Sequence, residues 1–318
     1  MSDNINLLLV GCGYMAGEYY KTLNGLNISP IVVGRGVEKS KSFSEKYGVS
    51  VVSGGIENSF DNIDSNINYA IVSVGVEELY SSTMFLLDNG IKNILVEKPA
   101  GMNTKEIKLL NQKAIEKGAN VFVAYNRRFY QSTEKAIDII KMDGGVKSFH
   151  FEFTEWESDI LASIKSDKVK ESILLANSTH VIDLAFFLGG FPTELSSYVA
   201  GKLDWHQNGC VYAGAGKTTS DVLFSYNANW GAPGRWSVEI MTSKHRLYFK
   251  PMEKLAIQEI NSVQVNQVDM DYSIDEEYKP GLFNQVKAFI YNPMDTRLLT
   301  IGEQLEHMSI YEKIAGIR

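Results

Sequence analysis

The chain contains 318 residues, of which 44% are hydrophobic and 22% charged, and its formal net charge is −7 (31 Lys and Arg against 38 Asp and Glu). These values are typical of a globular protein and exclude a disordered, collagen-like or coiled-coil chain. The basic residues are scattered, which excludes a nucleic-acid partner, because phosphate binding needs a concentrated Lys/Arg surface. The length favours two domains, and two cysteines, Cys12 and Cys210, are too few for a disulfide framework.

No stretch of the sequence approaches the roughly 20 apolar residues that a membrane helix needs. The segment Leu9-Val10-Gly11-Cys12 resembles a lipoprotein cleavage site. However, the preceding residues include Asp3 and no Lys or Arg, and the apolar run 5–10 is too short for a signal sequence. We therefore expect a cytoplasmic protein without a membrane partner.

The first 125 residues alternate between short apolar runs and helical stretches. The runs predict strands at 5–10, 30–33, 69–74, 93–96 and 120–124, with helices at 18–26, 39–47, 77–89 and 104–117 between them. Strands that alternate with helices form a parallel sheet through right-handed crossovers. The sequence therefore predicts an α/β fold whose first domain, residues 1–125, is a doubly wound parallel sheet of the Rossmann type.

The pattern changes after residue 125. Helices are predicted at 133–141, 179–188, 282–291 and 301–314, and strands at 146–157, 194–199, 210–213, 220–226, 236–241, 247–249 and 255–260. Turn residues at close spacing favour antiparallel pairing. Residues 126–318 are therefore predicted to form an α+β domain with an open, mostly antiparallel sheet.

The segment Gly214-Ala215-Gly216-Lys217-Thr218 resembles the end of a nucleoside-triphosphate P-loop. The P-loop pattern requires a glycine six positions before the lysine, where this chain has Val211. A predicted strand also follows the segment, instead of a helix. We interpret it as a hairpin turn.

A glycine-rich turn after the first strand predicts a dinucleotide site. In Gly11-x-Gly13-x-x-Ala16, the first glycine allows a tight turn, the second lets the backbone approach a pyrophosphate, and the small third residue lets helix pack on strand. Tyr14 and Met15 lie where the helix begins, so that free N–H groups there meet the phosphates. The context, a strand before and a helix after, favours cofactor binding over a purely structural turn.

The end of the second strand indicates which nicotinamide cofactor binds. NAD enzymes usually place Asp or Glu there to bind the ribose hydroxyls. This chain reads Val32-Val33-Gly34-Arg35-Gly36, with no carboxylate until Glu38. Arg35 can bind a 2′-phosphate through its forked guanidinium, which favours NADP with NAD as the alternative. Otherwise Arg35 is a solvated loop residue or stacks on adenine.

A lysine follows the strand 93–96, in Glu97-Lys98-Pro99, at the sheet edge where ligands of doubly wound folds bind. Lys98 can donate to a substrate oxygen and stabilise developing alkoxide charge. Two further motifs follow at a distance: Tyr125-Asn126-Arg127-Arg128-Phe129 after the next strand, and His180-Val181-Ile182-Asp183 at the start of a helix.

Together these motifs resemble the glucose–fructose oxidoreductase and inositol dehydrogenase (Gfo/Idh/MocA) family of NAD(P)-dependent enzymes, which act mostly on sugars and cyclitols. The resemblance spans the chain and implies a nucleotide-binding domain followed by a substrate-binding and oligomerisation domain, hence a homo-oligomer (dimer or tetramer). It implies that Glu97 and Lys98 lie at the cofactor, that Lys98 also contacts substrate, and that the Lys-Pro bond is cis. It also implies that His180 is the catalytic acid/base or forms a hydrogen bond with the reacting hydroxyl.

The chain departs from the family pattern four residues before that histidine. Many members have an Asp there, whereas this chain has Ala176. Three explanations remain open. His180 and Lys98 suffice, with Asn177 or Ser178 supplying a hydrogen bond; or the reaction is not a simple alcohol oxidation; or catalysis has been lost.

The substrate site is predicted to include Tyr125, Arg127, Arg128 and Asn177, in addition to Lys98 and His180. Arg128 can alternatively form a salt bridge, and Asp183 either orients its helix or pairs with a base. The tryptophans pack in the core or stack on a sugar ring, and the sequence does not say which does so (Trp156, Trp205, Trp230 and Trp236). The remaining histidines lie far apart without ligand spacing, so no catalytic metal is expected (His150, His206, His245 and His307).

The sequence therefore predicts an NADP-preferring oxidoreductase that transfers hydride to or from a sugar or sugar derivative, with Lys98 polarising the oxygen and His180 exchanging its proton. One alternative is a cofactor-binding sensor or regulator without turnover, which the loss of the carboxylate at Ala176 motivates. The other is a nicotinamide-dependent lyase or glycosidase of the same family.

Overall fold

The computed structural model describes residues 5–63, 66–163 and 166–317. Their strands are β1 (Leu7–Val10), β2 (Ile31–Gly34), β3 (Val51–Ser53), β4 (Tyr69–Val72), β5 (Asn93–Glu97), β6 (Asn120–Ala124), β7 (Ser148–Glu152), β8 (Pro192–Ala200), β9 (Val211–Thr218), β10 (Leu223–Asn229), β11 (Ser237–Met241), β12 (His245–Phe249), β13 (Ala256–Glu259), β14 (Val265–Gln267) and β15 (Leu299–Thr300). The predicted α/β class is confirmed.

The helices of the same residues are α1 (Tyr14–Gly25), α2 (Val37–Tyr47), α3 (Ile56–Ser59), α4 (Leu79–Asp88), α5 (Thr104–Lys117), α6 (Gln131–Met142), α7 (Glu157–Ser163), α8 (Asp167–Glu171), α9 (Thr179–Gly189), α10 (Ser273–Glu277), α11 (Leu282–Tyr291) and α12 (Ile301–Ile314). Short 3₁₀ turns occur at Phe60–Asn62, Val76–Glu78 and Asn126–Phe129, and a π-helical turn at Leu174–Ser178 runs into α9. None of the helices described here is long and apolar enough to cross a membrane.

The chain divides into two compact units. The first contains the described residues up to Asn126 together with Glu277–Glu306, and the second contains Arg127–Glu276 and the residues from His307 onward. The segment 277–306, which the predicted boundary at 125/126 assigned to the second domain, packs with the first because β15 pairs with β6 and Phe289 contacts the rings of Tyr69 and Phe122. The functional roles of the two ranges stay predictions.

The first unit contains a seven-stranded sheet in the order β15-β6-β5-β4-β1-β2-β3, parallel throughout except for β15. All four residues of β1 are buried, as expected for a strand covered on both faces by helices. The carboxyl ends of β1, β2, β4 and β5 meet at one edge of this sheet. This edge positions the residues of the glycine-rich turn and the Glu-Lys-Pro segment.

The second unit contains an eight-stranded sheet in the order β14-β13-β12-β11-β7-β10-β9-β8, antiparallel except where β7 and β10 run parallel. Burial alternates along β10, which indicates one packed and one open face. Helix α9 covers the packed face, where Phe186 contacts the rings of Phe149 and Phe151 edge-on. Helix α9 thereby begins beside the central strands β7 and β11.

The predicted strand 146–157 is too long. Strand β7 ends at Glu152. The Phe153 N–H still donates to the Asn227 carbonyl, but the Phe153 carbonyl accepts from the Trp230 indole N–H, and the Asn229 N–H donates to the Thr154 hydroxyl. Glu155 and Trp156 therefore lie in a loop beyond the sheet, instead of within a strand.

The prediction of a hairpin turn at 214–218 is wrong. These residues belong to β9, and the turn follows at 219–222, where the Asp221 N–H donates to the Thr218 carbonyl. The glycines are needed by packing: a Cβ on Gly214 would lie 2.4 Å from the Tyr226 ring. Because strand β10 follows directly, the rejection of a P-loop stands.

Candidate functional site

The glycine-rich turn joins β1 to α1 with the geometry that the fingerprint requires. Gly11 has φ +128°, and a Cβ there would lie 2.1 Å from the Ser73 carbonyl oxygen. At Gly13, by contrast, a Cβ would meet nothing within 4 Å, so the packing of the protein does not explain this glycine. Ala16, in the first turn of α1, is fully buried. The open space at Gly13, beside the first N–H groups of a 12-residue helix, fits a pyrophosphate.

The two residues between Gly13 and Ala16 lie at the start of α1. Tyr14 is 71% exposed, and the Lys279 ammonium lies 5.4 Å from its ring centroid. Met15 is half-buried. Burial raises the pKa of the Cys12 thiol, so this thiol stays protonated near neutral pH. The turn therefore offers backbone donors and one exposed ring, but no reactive thiolate.

The end of β2 excludes a side chain at position 34. A Cβ on Gly34 would lie 2.2 Å from the Ser40 hydroxyl oxygen and 2.6 Å from the Cys12 sulfur. Arg35 is exposed and forms an ion pair with Glu78 at 2.8 Å, with side-chain exposures of 76% and 46%. Sequence reasoning missed this carboxylate, which reaches Arg35 from the turn after β4. An exposed pair of this kind contributes at most about 1 kcal/mol, so Arg35 can exchange it for a phosphate.

The Glu97-Lys98-Pro99 segment lies at the end of β5, and the Lys98–Pro99 bond is cis, as the resemblance implied. The Tyr19 hydroxyl donates to Glu97 Oε1 at 2.8 Å and ties this corner to α1. Burial raises the pKa of the Glu97 carboxyl, although Tyr19, Lys98 and Lys279 act in the opposite direction. Helix α1 and the Lys98 segment are thus fixed to each other within the first unit.

Tyr125 is buried at the end of β6, 1% exposed. The Gln304 side-chain amide donates to its hydroxyl at 3.4 Å and to the Pro99 carbonyl at 3.2 Å. Gln304 therefore holds the residues that follow β5 and β6 together. The predicted role of Tyr125 in substrate binding stays a prediction.

Arg128 forms a buried salt bridge. Its Nε and Nη2 donate to the two carboxylate oxygens of Asp183 at 2.8 and 2.6 Å, and the side chains are 5% and 0% exposed. Of the two alternatives stated for Arg128, the structure shows the salt bridge. Two roles were also stated for Asp183, and the structure shows the one in which Asp183 pairs with a base. The pair of Arg128 and Asp183 holds the turn after β6 to helix α9.

The π-helical turn before α9 carries Asn177 and leads to His180, both half-buried. Asn177 Nδ2 donates to Glu155 Oε2 at 3.0 Å, and the Ser178 hydroxyl donates to Glu155 Oε1 at 2.6 Å. Glu155 is 2% exposed. A buried carboxylate is therefore present beside the turn that contains Ala176, but it comes from the loop after β7 and not from position 176.

Arg127 lies against aromatic rings in the second unit. Its guanidinium carbon is 4.8 Å from the Trp236 ring centroid and 5.9 Å from that of Tyr130. The His180 ring centroid lies 6.1 Å from that of Trp236. The structure thus brings Arg127 and His180, two predicted site residues, near the same indole ring.

Sequence reasoning did not name Glu155 or Arg235, and it named Trp236 only as one of four tryptophans that either pack in the core or stack on a sugar ring. Arg235 and Trp236 directly precede β11, and Ser237 pairs with Glu152 at the end of β7. The register of two antiparallel strands therefore brings Glu155 and Arg235 to the same edge. The one available signal was a dense run of charged and aromatic residues at two strand ends.

No three or more His, Cys, Asp or Glu side chains in the described segments are grouped so as to hold a metal ion. The predicted absence of a catalytic metal stays a prediction. The unit that carries the fingerprint turn is an NAD(P)-binding Rossmann fold, the class that its parallel sheet and its turn define.

Comparison with known proteins agrees with this class. Residues 5–125 match the family described as "Oxidoreductase family, NAD-binding Rossmann fold" (GFO_IDH_MocA). The predicted resemblance to the Gfo/Idh/MocA oxidoreductases is thereby confirmed, through a match that covers the nucleotide-binding part of the chain. No curated protein matches the chain in sequence.

Solved structures share the fold over nearly the whole chain. Levoglucosan dehydrogenase in complex with NADH has a TM-score of 0.80 at 16% identity, covering 99% of this chain and 97% of that one. A dehydrogenase (MviM) from Clostridium difficile has a TM-score of 0.80 at 17% identity, with 99% of each chain covered. A protein from Desulfitobacterium hafniense, proposed as an NADPH-dependent oxidoreductase, has a TM-score of 0.81 at 16% identity, with 99% and 95% covered.

Proposed function

We propose that the protein oxidises an alcohol group, or reduces the corresponding carbonyl, of a sugar or sugar derivative, with NADP(H) as the preferred cofactor. The observation that carries the proposal is the fingerprint turn, where the open space at Gly13 adjoins the helix that Tyr19 ties to the Glu97-Lys98 corner. A levoglucosan dehydrogenase of the same fold is solved with NADH, which supports a sugar substrate.

Each residue has a proposed role. The N–H groups at the start of α1 bind the pyrophosphate, and Arg35 binds the 2′-phosphate. The nicotinamide, when bound, supplies the hydride acceptor or donor. The Lys98 ammonium donates a hydrogen bond to the substrate oxygen, and His180 accepts or returns its proton. Arg128 holds Asp183 and is not among the substrate ligands that we propose.

Two measurements test this function. Saturable quenching of protein fluorescence by NADPH is expected, and the lack of saturable binding of both NADPH and NADH would contradict the proposal. Turnover on a sugar panel, followed by absorbance at the reduced-cofactor band, is expected to disappear in Lys98→Met. Lys113→Met is the matched control, because Lys113 lies on α5 in a surface ion pair with Asp88.

The replacement of the family carboxylate by Ala176 favours a second candidate, a sensor that binds cofactor and sugar without turnover. Cofactor binding without turnover on any sugar would support this candidate. A lyase or glycosidase of the same family would instead form product without net consumption of cofactor. The absorbance of the reduced cofactor over many turnovers separates this reaction from that of a dehydrogenase.

Arg35→Ala is expected to weaken NADPH binding by about 1.5–3 kcal/mol, the scale of a charge-assisted hydrogen bond. NADH affinity is expected to change little, because NADH has no 2′-phosphate. Fluorescence titration of both cofactors measures the effect. Lys46→Ala, which removes a positive charge at the far end of α2, is the control.

The ion pair of Arg35 provides a second variant. Glu78→Gln removes the carboxylate that competes for Arg35 and is expected to tighten NADPH binding. An equal loss of both cofactors in Arg35→Ala would indicate stacking on adenine instead. A wild-type enzyme that binds NADH more tightly than NADPH would contradict the prediction that the residues at the end of β2 favour NADP.

A further inference from the structure

Two arginines and two tryptophans come together at one edge of the eight-stranded sheet. Arg127 lies in the turn after β6, Trp156 lies in the loop after β7, and Arg235 and Trp236 lie directly before β11. We call these four residues the arginine–tryptophan cluster. The Trp156 indole N–H donates to the Gly234 carbonyl at 2.7 Å and joins the two loops.

Arg235 lies between the two indoles. Its guanidinium carbon is 4.4 Å from the Trp156 ring centroid and 4.7 Å from that of Trp236. Contacts with aromatic rings at these distances are cation–π interactions, which leave the N–H donors of a guanidinium available in its plane. The side chain is 37% exposed, so a solute can reach it.

Arg127 lies on the same Trp236 indole. No carboxylate in the described part of the chain forms an ion pair with it, and its Nε is buried without a hydrogen-bond acceptor there. The Trp236 indole N–H is also buried without an acceptor, in a side chain that is 7% exposed. Buried donors without acceptors cost free energy, and native proteins leave few of them.

The charges at this edge do not balance. Glu155 is the one acid that pairs with Arg235 in the described segments, at 3.6 Å, which is longer than a hydrogen bond. Both Glu155 oxygens accept shorter bonds from Asn177 and Ser178. Glu152, the other acid near Gly234, lies 3.8 Å from Lys250. Of the two guanidinium groups, that of Arg235 thus shares a carboxylate that is already engaged, and that of Arg127 pairs with none in the described residues.

We propose that the arginine–tryptophan cluster binds an anionic group of the substrate, a carboxylate or a phosphate, so that the substrate is an acidic sugar derivative and not a neutral sugar. The inference rests on the proposed function, because it names the substrate class of the same enzyme. Arg127 and Arg235 supply charge-assisted donors, and the Trp236 indole N–H supplies a third, neutral donor. His180 lies against the same indole, so the anion is held near the proton-transfer residue.

A purely structural role would give the cluster a different composition. Arginines with a purely structural role form hydrogen bonds to carboxylates or carbonyls, as Arg128 does to Asp183 and as Arg246 on β12 does to Glu239 on β11. Arg127 ends on neither within the described residues, and a methionine or leucine would fill the same space without a buried charge. The unpaired donors therefore favour a ligand with acceptor oxygens.

The test compares matched substrates. We expect the wild-type enzyme to prefer an aldohexose's uronic acid or 6-phosphate over the neutral aldohexose by about a hundredfold in kcat/KM, or about tenfold for each of two charge-assisted hydrogen bonds. Arg127→Met and Arg235→Met are expected to reduce this preference by about tenfold each. Raising the ionic strength is expected to reduce the preference of the wild-type enzyme.

Arg246→Met is the matched control, because Arg246 also lies over an aromatic ring, Tyr248 at 5.3 Å, on a different part of the same sheet. It is expected to leave the preference unchanged. A wild-type enzyme that prefers neutral sugars, or arginine variants that reduce turnover of acids and neutral sugars equally, would overturn the inference while the proposed function stands.

Binding provides a readout that does not depend on turnover. Acids that bind to the enzyme–NADPH complex are expected to change tryptophan fluorescence, and the affinity is expected to fall about tenfold in Arg235→Met. Tighter binding of uronic acids indicates a carboxylate ligand, and tighter binding of sugar phosphates indicates a phosphate. A panel in which neither class binds more tightly than neutral sugars contradicts the inference, whereas failure of NADPH binding contradicts the proposed function.

Discussion

His180→Asn is expected to lower kcat by roughly a hundredfold or more, the lower range for the loss of a general acid or base. Asparagine keeps a polar side chain of similar length but cannot exchange a proton near neutral pH. The affinity for NADPH is expected to stay within about twofold of the wild type, because the groups that we propose bind its phosphates are the N–H groups at the start of α1 and Arg35 after β2. Steady-state kinetics and fluorescence titration measure the two effects.

The control for this variant is His150→Asn. His150 lies on strand β7 and contacts the Ser225 hydroxyl through Nδ1 at 2.9 Å, so its replacement removes a histidine from the same unit without changing the proposed site. It is expected to leave kcat unchanged. Undiminished kcat in His180→Asn would show that another group transfers the proton, and Lys98 and Tyr125 are then the residues to replace next.

The sequence predicted the bounds of an element correctly where capping residues stand at both ends of its hydrophobic pattern. Helix α5 has the predicted bounds because Asn103 caps its first turn, accepting from the Glu106 N–H, and Gly118 ends it in the left-handed conformation. The strand prediction at 146–157 failed because alternating phenylalanines continue past the last strand pair, up to Phe153. Periodicity reports which residues are buried, but it does not report where the hydrogen-bonding partner strand ends.

The sequence predicted those parts of the candidate site whose residues lie together in one short motif. The fingerprint turn and the Glu-Lys-Pro segment are contiguous in sequence, and the spacing of each reflects a local backbone geometry. Glu78 reaches Arg35, and Glu155 reaches Asn177, from other elements of the same unit. Contacts of this kind depend on strand order and register, which no single segment encodes.

Ala176 illustrates the difference between a motif and a site. The missing carboxylate at this position left three explanations open, one of which was that Asn177 or Ser178 supplies a hydrogen bond instead. The structure places Glu155 against Asn177 and Ser178, in a π-helical turn where the spacing of four residues no longer brings side chains onto one α-helical face. Position 176 therefore lacks the carboxylate of the family pattern, but Glu155 places a carboxylate beside the same turn.

Asp183→Ala is expected to destabilise the second unit by about 3–5 kcal/mol, because it leaves the Arg128 charge buried without its partner. Both side chains are almost fully buried, and both Asp183 oxygens accept hydrogen bonds from Arg128. The Phe187 ring, 4.8 Å from the guanidinium carbon, forms a cation–π contact that does not replace the two hydrogen bonds to the carboxylate. Urea unfolding followed by circular dichroism measures the loss.

A surface pair and a double variant separate the causes of that loss. Glu276→Ala removes the partner of Lys254 in an exposed pair and is expected to cost at most about 1 kcal/mol. The double variant Arg128→Met with Asp183→Leu replaces the buried charges by apolar groups of similar size and is expected to recover most of the stability, because neither charge is then left buried alone. A double variant as unstable as Asp183→Ala would show that the geometry of the bidentate pair, and not the unpaired charge, holds the turn after β6 to helix α9.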